Sequence, residues 1–347
     1  MKRSRSSYVL PFVVAVILSL TGLTLHPGGN GSAELSGSAC LPVDQGSMAG
    51  HGDFRFSNVA LVSHITHDFI TMIDLSNNAV VDTIHAGEGT DFTARVPGKD
   101  ELYIADFNSN DIAVVDGQRM NKRTKIPVGI HPVCVSFTPN GKTALISYQS
   151  QDGLWFMDTK THAITRKISD GTGMIYYLKS RNLFYQPAIF RPFVHIIDPV
   201  RQEIIKSVWV GGRPMSLAFT PDGKFAYIPN YDLNEVQVFS TALDSVVRVI
   251  PKVGNPRGIA ISPDGRYALV TNVTSNTLTV IGIDSNSVVK VIPVDRMPTD
   301  VAVRPDGKYA YVTNQGSGSI SVIDMAGLDV SAHIEVEDDP ISITIPN

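Results

Sequence analysis

From residue 58 onward the chain is a succession of short runs in which apolar and polar positions alternate. The runs are rich in Val, Ile, Thr and Tyr and are separated by Gly, Pro, Asn and Asp, which is typical of strands and tight turns. Between residues 256 and 294 four such runs follow one another: PRGIAIS, RYALVTN, NTLTVIG and SVVKVIPV. The pattern predicts a unit of four antiparallel strands.

This unit repeats along the chain. The turn glycines are Gly98, Gly141, Gly223, Gly265 and Gly307, with one copy lacking its glycine between residues 141 and 223. A second marker closes the segments that resemble VID, at Asp74, Asp116, Asp158, Asp198, Ser240, Gly282 and Asp324. The markers are spaced by 42 residues except for one step of 40. Seven four-stranded units at this period predict a seven-bladed β-propeller, and each Asp is expected to accept hydrogen bonds from the next turn.

The motifs YALVTN and YAYVTN, with the turns SPDG and RPDG, resemble the YVTN family of β-propeller repeats. The resemblance covers roughly residues 58–347 and implies an exported protein. Related propellers include surface-layer proteins, haem-binding propellers of the cytochrome d1 type, amine-dehydrogenase large subunits and lyases. The motif therefore implies the fold and leaves the activity open.

The two ends of the repeat predict how the ring closes. The first unit begins at NVALVSH, which is already the second strand type, and the last unit is followed by an extra strand in PISITIPN. We expect residues 340–345 to supply the innermost strand of the first blade, because both ends would otherwise leave unpaired edges. The predicted fold class is all-β.

The N-terminus has the pattern of an export signal. The basic start MKRSR precedes an apolar stretch that ends at Leu25, and small-residue cleavage sites end at Ala33 and Ala39. We expect residues 1–33 to be an export signal, 34–57 a linker and 58–347 the propeller. An uncleaved anchor and a lipidated Cys40 are the alternatives. The expected location is periplasmic, cell-surface or secreted.

Composition narrows the classes of function. A net charge of −4 and a pI near 6.1 argue against nucleic-acid binding. We expect a monomer that meets a membrane only through its N-terminal segment. The chain has no Cys-x-x-Cys-His for covalent haem and no Gly-x-Ser-x-Gly or P-loop motif. Cys134, in the alternating run PVCVSF, is expected to be a buried thiol; the alternative is a disulfide with Cys40, which would bridge a flexible arm to a strand.

Candidate ligand-binding residues lie in loops that the repeat places on one face. The fourth unit departs most from the repeat, with QPAIFRPF in place of a polar loop. Three arginines and aromatic side chains in these loops would suit a carboxylate or phosphate, since Arg offers paired hydrogen bonds. The candidates are His131, Phe190, Arg191, Arg213, Tyr231 and Arg257. The alternative is that the fourth unit has diverged in sequence without a function of its own, and that its aromatic side chains pack between neighbouring blades.

His64 and His67, in HITHDF, form the candidate metal site, with His131 or Asp91 as a third ligand. An exposed polar loop is the simpler interpretation. His195, in FVHIID, and His85 and His333 are expected to lie on strand faces.

The combined interpretation is an exported propeller that binds a small anionic ligand or another exported protein, with no cofactor. The alternative is an enzyme or cofactor-handling protein that uses the same loops, either a lyase or a protein that binds haem of the d1 type. In that case haem or a transition metal would be the cofactor.

Overall fold

A computed structural model describes residues 58–149 and 153–346. The predicted export signal and the linker before residue 58 lie outside these residues. Within the described part of the chain, no helix has the length and apolar character needed to cross a membrane.

The described residues form 28 strands and one 3₁₀ helix, η1 (Gln315–Ser317). In chain order the strands of the first half are β1 (Val59–His64), β2 (Phe69–Asp74), β3 (Ala79–His85), β4 (Thr90–Arg95), β5 (Glu101–Asp106), β6 (Asp111–Asp116), β7 (Asn121–Pro127), β8 (Pro132–Phe137), β9 (Thr143–Tyr148), β10 (Leu154–Asp158), β11 (Ile164–Ile168), β12 (Tyr176–Leu178), β13 (Leu183–Pro187), β14 (Phe193–Asp198) and β15 (Glu203–Trp209). The second half contains β16 (Ala218–Phe219), β17 (Phe225–Asn230), β18 (Glu235–Ser240), β19 (Ser245–Pro251), β20 (Pro256–Ile261), β21 (Tyr267–Asn272), β22 (Thr277–Gly282), β23 (Ser287–Pro293), β24 (Pro298–Val303), β25 (Tyr309–Asn314), β26 (Ser319–Asp324), β27 (Asp329–Glu335) and β28 (Pro340–Thr344).

These strands make seven antiparallel sheets of four strands each, which confirms the predicted seven-bladed propeller. Blade 1 has the order β28-β1-β2-β3, and blades 2 to 7 each take four consecutive strands from β4 onward. The innermost strands β4, β8, β16, β20, β24 and β28 make contacts with the innermost strands of adjacent blades, which places them around the centre.

The ring closes as the two ends of the repeat predict. The C-terminal strand β28 pairs with β1, with Val62 opposite Ile343 and Ser63 opposite Ser342. Ile341 and Ile343 are completely buried, so closure adds apolar burial as well as backbone hydrogen bonds.

Most of the core lies between blades. One buried cluster joins Leu61 of blade 1 to Leu102 of blade 2, and another joins Val62 of blade 1 to Tyr311 of blade 7. Alternating strand residues point to opposite faces, so each inner strand contributes to two such layers.

The repeated Asp has the predicted structural role. Asp74 Oδ1 accepts a hydrogen bond of 2.8 Å from the Ser76 backbone N–H, and Asp116 Oδ1 accepts one of 2.8 Å from that of Gln118. The hydrogen bonds from Ser76 lower the pKa of Asp74. In the five blades that have Asp at this position, the turn is thus held by a carboxylate at the end of the third strand, whereas blades 5 and 6 have Ser240 and Gly282 there.

Cys134 corrects one expectation. It is completely buried in β8, as its alternating pattern predicts, but it is disulfide-bonded and not a free thiol.

Candidate functional site

Two sets of loops meet on one face of the ring, which we call the top face. One set leads into the innermost strands, and the other joins the second and third strands of a blade. Backbone hydrogen bonds connect the sets: Tyr231 N–H donates to Arg213 O at 3.0 Å, and Gln149 N–H donates to His131 O at 3.0 Å. In five blades the residue directly before the inner strand has a positive φ, for example His131 and Met297, so the turn repeats at these positions.

Arg213, Tyr231 and Arg257 come together on this face. The Arg213 guanidinium lies 4.5 Å from the centre of the Tyr231 ring, a cation–π contact. Burial raises the pKa of Tyr231, while the charges of Arg213 and Arg257 oppose that rise, so both arginines lie near its hydroxyl. We call these three residues the arginine–tyrosine group.

The group is layered from the surface inward. Arg213 Nη2 donates to Asp232 Oδ1 at 2.7 Å, and the Asp232 side chain is 52% exposed. The Tyr231 residue is 7% exposed and the Arg257 residue 2%. The ion pair is therefore the outer layer and Arg257 the deepest.

Arg257 is the largest fully buried side chain among the described residues. Burial lowers its pKa to about 10, and the nearby carboxylates of Asp91 and Asp300 oppose that shift and favour the charged form. Asp300 is held in place because its carboxylate accepts from Val301 N–H at 2.8 Å and from Ile343 N–H at 3.1 Å. A charge buried in this way needs such partners.

Several donors in this region lack an acceptor. Within the described part of the chain, Nε of Arg213 and both Nε and Nη2 of Arg257 are buried without a hydrogen-bond partner. The Tyr176 hydroxyl lies near Ser216 and the Leu217 backbone but makes no hydrogen bond of normal geometry. Burial raises the pKa of Tyr176, so its hydroxyl keeps its proton and remains a donor.

Phe190 and Arg191 belong to a different part of the top face. Arg191 Nη1 lies 3.3 Å from Asp170 Oδ2, and its side chain is 61% exposed. Phe190 is 44% exposed. Arg191 and Arg213 are therefore each paired with a carboxylate of the protein itself.

His131 lies two blades from Arg213, in the loop before β8. Its ring stacks on Phe107, with 4.3 Å between centroids and an interplanar angle of 5°. Partial burial lowers the pKa of His131, so the imidazole is neutral at pH 7. No hydrogen bond to its ring nitrogens is present within residues 58–149 and 153–346, which leaves a nitrogen lone pair for a ligand.

The two histidines of blade 1, His64 and His67, make hydrogen bonds within the protein. His64 is fully buried, with Nδ1 at 3.0 Å from Asp338 O and Nε2 at 2.9 Å from Thr71 Oγ1, so both nitrogens are used. His67 Nδ1 lies 3.1 Å from Thr66 Oγ1. No group of three or more His, Cys, Asp and Glu in the described residues has the geometry to hold a metal ion.

Sequence reasoning missed Asp300 as a part of this site. The corresponding position of the inner strand is Gly258 in blade 6 and Ser216 in blade 5. The signal that could have identified Asp300 is a charged residue at a buried position where other repeats have a small residue.

A family model, the cytochrome D1 heme domain, matches residues 182–305, about a third of the chain. This segment contains five of the six candidate ligand residues, and His131 lies outside it. No curated protein matches the chain.

Three solved structures have a similar fold. Kuenenia stuttgartiensis hydrazine synthase is 20% identical, with a TM-score of 0.70, covering 87% of this chain and 99% of that one. Dihydro-heme d1 dehydrogenase NirN in complex with DHE is 14% identical, with a TM-score of 0.66, covering 87% and 68% respectively. A functionally unknown protein from Desulfotomaculum acetoxidans DSM 771 is 16% identical, with a TM-score of 0.69, covering 84% and 99%.

Over residues 182–305 the chain is thus similar to the cytochrome D1 heme domain. At such identities the structural likeness establishes the fold alone. Membership of the YVTN repeat family stays a prediction.

Proposed function

We propose that this chain is an exported binding propeller whose top face binds a ligand through the arginine–tyrosine group. The observation that carries the proposal is the set of three buried guanidinium N–H donors, on Arg213 and Arg257, that no described residue accepts. A buried donor without a partner costs free energy. A ligand that supplies acceptors there would remove this cost, and its binding would be stabilised by the same amount.

The charges around the group restrict the ligand further. Asp232, Asp91 and Asp300 already balance much of the positive charge of Arg213 and Arg257. A polyanion would be repelled by these carboxylates, whereas a single carboxylate could replace Asp232 as the partner of Arg213. We therefore favour a monocarboxylate with further acceptor atoms over phosphate or sulfate.

A thermal-shift screen of monocarboxylates, phosphate and sulfate tests this function. We expect a monocarboxylate to raise the Tm of the wild-type protein, and the rise to be lost in Arg213→Ala. Arg201→Ala is the matched control, because Arg201 is also an ion-paired arginine but follows β14 at the opposite end of the blade, with its side chain 69% exposed. Equal shifts in all three proteins, or none in any, would place the ligand elsewhere.

A second candidate function is the binding of a haem-type tetrapyrrole, favoured by the family match over residues 182–305 and by the free ring nitrogens of His131. In that case His131 would hold the iron, and Arg213 and Arg257 would hold the carboxylates. The bound group would supply one-electron chemistry. His64 is unsuited to this role because both of its nitrogens are hydrogen-bonded.

The absorbance of the protein purified from its own host separates the two functions. A Soret band that is shifted or lost in His131→Ala would favour the tetrapyrrole, and a colourless, metal-free protein would favour the simple ligand. N-terminal sequencing of the same material tests export, because we expect a new N-terminus near Glu34 or Cys40.

A further inference from the structure

The outer edge of blade 4 carries a pair of residues that the ligand site does not use. His195 on β14 and Ser207 on β15 are directly opposite each other, and Ser207 Oγ lies 2.8 Å from His195 Nδ1. His195 is 1% exposed, whereas Ser207 is exposed. A hydroxyl that solvent and substrate can reach thus contacts a buried imidazole.

Asp170 completes the arrangement from the loop before β12. Its Oδ1 lies 3.6 Å from His195 Nε2, and its Oδ2 lies 3.3 Å from Arg191 Nη1. Within the described residues, Nε2 has no hydrogen-bond partner. The carboxylate therefore favours the tautomer with the proton on Nε2, which leaves Nδ1 to accept the Ser207 hydroxyl proton.

The imidazole has the protonation state of a general base. Burial lowers the pKa of His195, Asp170 opposes that effect and Arg191 adds to it, so the ring is neutral at pH 7. A nucleophile within hydrogen-bond reach of a base, which a third group orients, is the signature of nucleophilic catalysis. No other described blade places a histidine of the third strand opposite an exposed serine.

Aromatic side chains flank the serine. Trp209 is two residues along β15, on the same face of the strand, and is 68% exposed. Phe193 is opposite Trp209, and its ring stacks with that of His195. These rings form an apolar wall beside Ser207.

We propose that Ser207, His195 and Asp170 form a nucleophilic site that cleaves activated esters carrying an aromatic or apolar group. The site is distinct from the arginine–tyrosine group, and the proposal does not rest on the ligand proposed above. We assign no oxyanion donor among the described residues, so turnover should be slow and confined to good leaving groups such as phenolates.

The chemistry has two steps. Ser207 Oγ attacks the carbonyl carbon, its proton passes to His195 Nδ1, and the C–O bond to the leaving group breaks. The departing phenolate takes that proton, leaving an acyl group on Ser207. Water then attacks the acyl carbon with His195 as base, which releases the carboxylic acid and restores the hydroxyl.

Labelling of the full-length protein with a fluorophosphonate, followed by peptide mass spectrometry, tests the site. We expect the adduct on Ser207, with loss of fluoride, at a rate at least about 100-fold above that of Ser331, the scale of general-base catalysis. Ser331 is the internal control, because it is an exposed serine of an outermost strand whose hydroxyl donates to the Val322 carbonyl. p-Nitrophenyl acetate hydrolysis should be lost in Ser207→Ala and kept in Ser331→Ala.

The pH profile distinguishes a base from a structural contact. Labelling of Ser207 should rise with pH through an inflection below 6.5, the ordinary pKa of histidine. Asp170→Asn should move that inflection to lower pH and Arg191→Gln should move it to higher pH, because the two charges act on His195 in opposite directions. Both side chains lie at the surface, so these variants should fold even if His195→Gln does not. Labelling of Ser207 at the rate of Ser331, or an inflection that neither variant moves, would overturn the proposal.

Discussion

The Tyr311 hydroxyl donates a hydrogen bond of 2.7 Å to Asn78 Oδ1, joining the last blade to the first across 233 residues of sequence. Asn78 has a positive φ in the turn between β2 and β3, so its side chain is held in place. The same bond recurs between Tyr227 of blade 5 and Asn286 of blade 6, at 2.6 Å. These tyrosines connect neighbouring blades, and the Tyr311 bond closes the ring.

Replacing Tyr311 with Phe should therefore weaken the closure. The ring of Tyr311 stays buried, while Asn78 loses its donor, so we expect a loss of about 1 kcal/mol in the free energy of unfolding. Urea denaturation measures it. The control is Tyr309→Phe, since the Tyr309 hydroxyl makes no hydrogen bond within the described residues, and an equal loss in both variants would contradict the role of the bond.

Truncation before Pro340 tests closure by the C-terminal strand. The truncated chain loses β28, exposes the inner edge of β1 and removes the buried Ile341 and Ile343. Burial of each isoleucine contributes about 1.5–3 kcal/mol, so we expect a loss of several kcal/mol and aggregation through the open edge.

A point variant of this strand separates packing from truncation. Ile343→Ala should cost about 2–5 kcal/mol, whereas Ile205→Ala, at an exposed position of β15, should cost little. A truncated protein with full-length thermal stability and solubility would mean that β28 does not hold the ring closed.

The repeat made the fold predictable, because each blade encodes its own strands and turns locally and the incomplete end units reveal the closure. The contacts between side chains on the top face were harder to predict from the sequence. Arg213 and Asp232 are separated by 19 residues that form the inner hairpin of blade 5, and Arg191 and Asp170 lie on either side of the hairpin of blade 4. Their contacts depend on the conformations of loops that differ in length and sequence between repeats.

The last residue of the YVTN motif is Asn in blades 5, 6 and 7 only, and the other four blades have a different residue there. The Asn that ends YVTN is Asn314 in blade 7, where its amide donates to Ser319 and Ser321. Blade 2 has Asp106 at this position, completely buried beside Asp111. A carboxyl group donates only while it is protonated, whereas the amide donates at every pH, so this departure from the repeat has a consequence for stability.

We predict that Asp106→Asn stabilises the protein, increasingly so as the pH rises. Burial and the neighbouring Asp111 raise the pKa of Asp106 to about 8, while the backbone N–H of Gly87 and the charge of Lys125 oppose that shift. The folded state therefore retains a proton that the unfolded chain releases near pH 4, so stability falls between pH 4 and pH 8. The amide removes this titration and is a donor at every pH.

The measurement is Tm against pH for both proteins. We expect the difference in the free energy of unfolding between the variant and the wild type to shift in favour of the variant by roughly 5 kcal/mol between pH 4 and pH 8. Asn314→Asp is the reverse variant in blade 7 and should introduce the same loss of stability with rising pH. Parallel Tm curves for Asp106→Asn and wild type would show that Asp106 is ionised in the fold.

The contribution of His64 to stability has the opposite dependence on pH, because it is lost as the pH falls. Its Nδ1 donates to Asp338 O and its Nε2 accepts from Thr71, which requires the neutral ring, and burial lowers its pKa to about 4. The unfolded chain takes up a proton near pH 6.5 and the folded chain only near pH 4. Stability is thus fully present above pH 6.5 and falls as the pH drops toward 4, by about 3 kcal/mol for this group.

His64→Asn should remove this part of the acid sensitivity, because the amide can donate to Asp338 O in place of Nδ1 and does not titrate. The difference in the free energy of unfolding between His64→Asn and the wild type should then change by about 3 kcal/mol between pH 7 and pH 4. The change should favour the variant at the lower pH. A constant difference between His64→Asn and wild type across this range would mean that His64 is protonated as easily in the fold as in the unfolded chain.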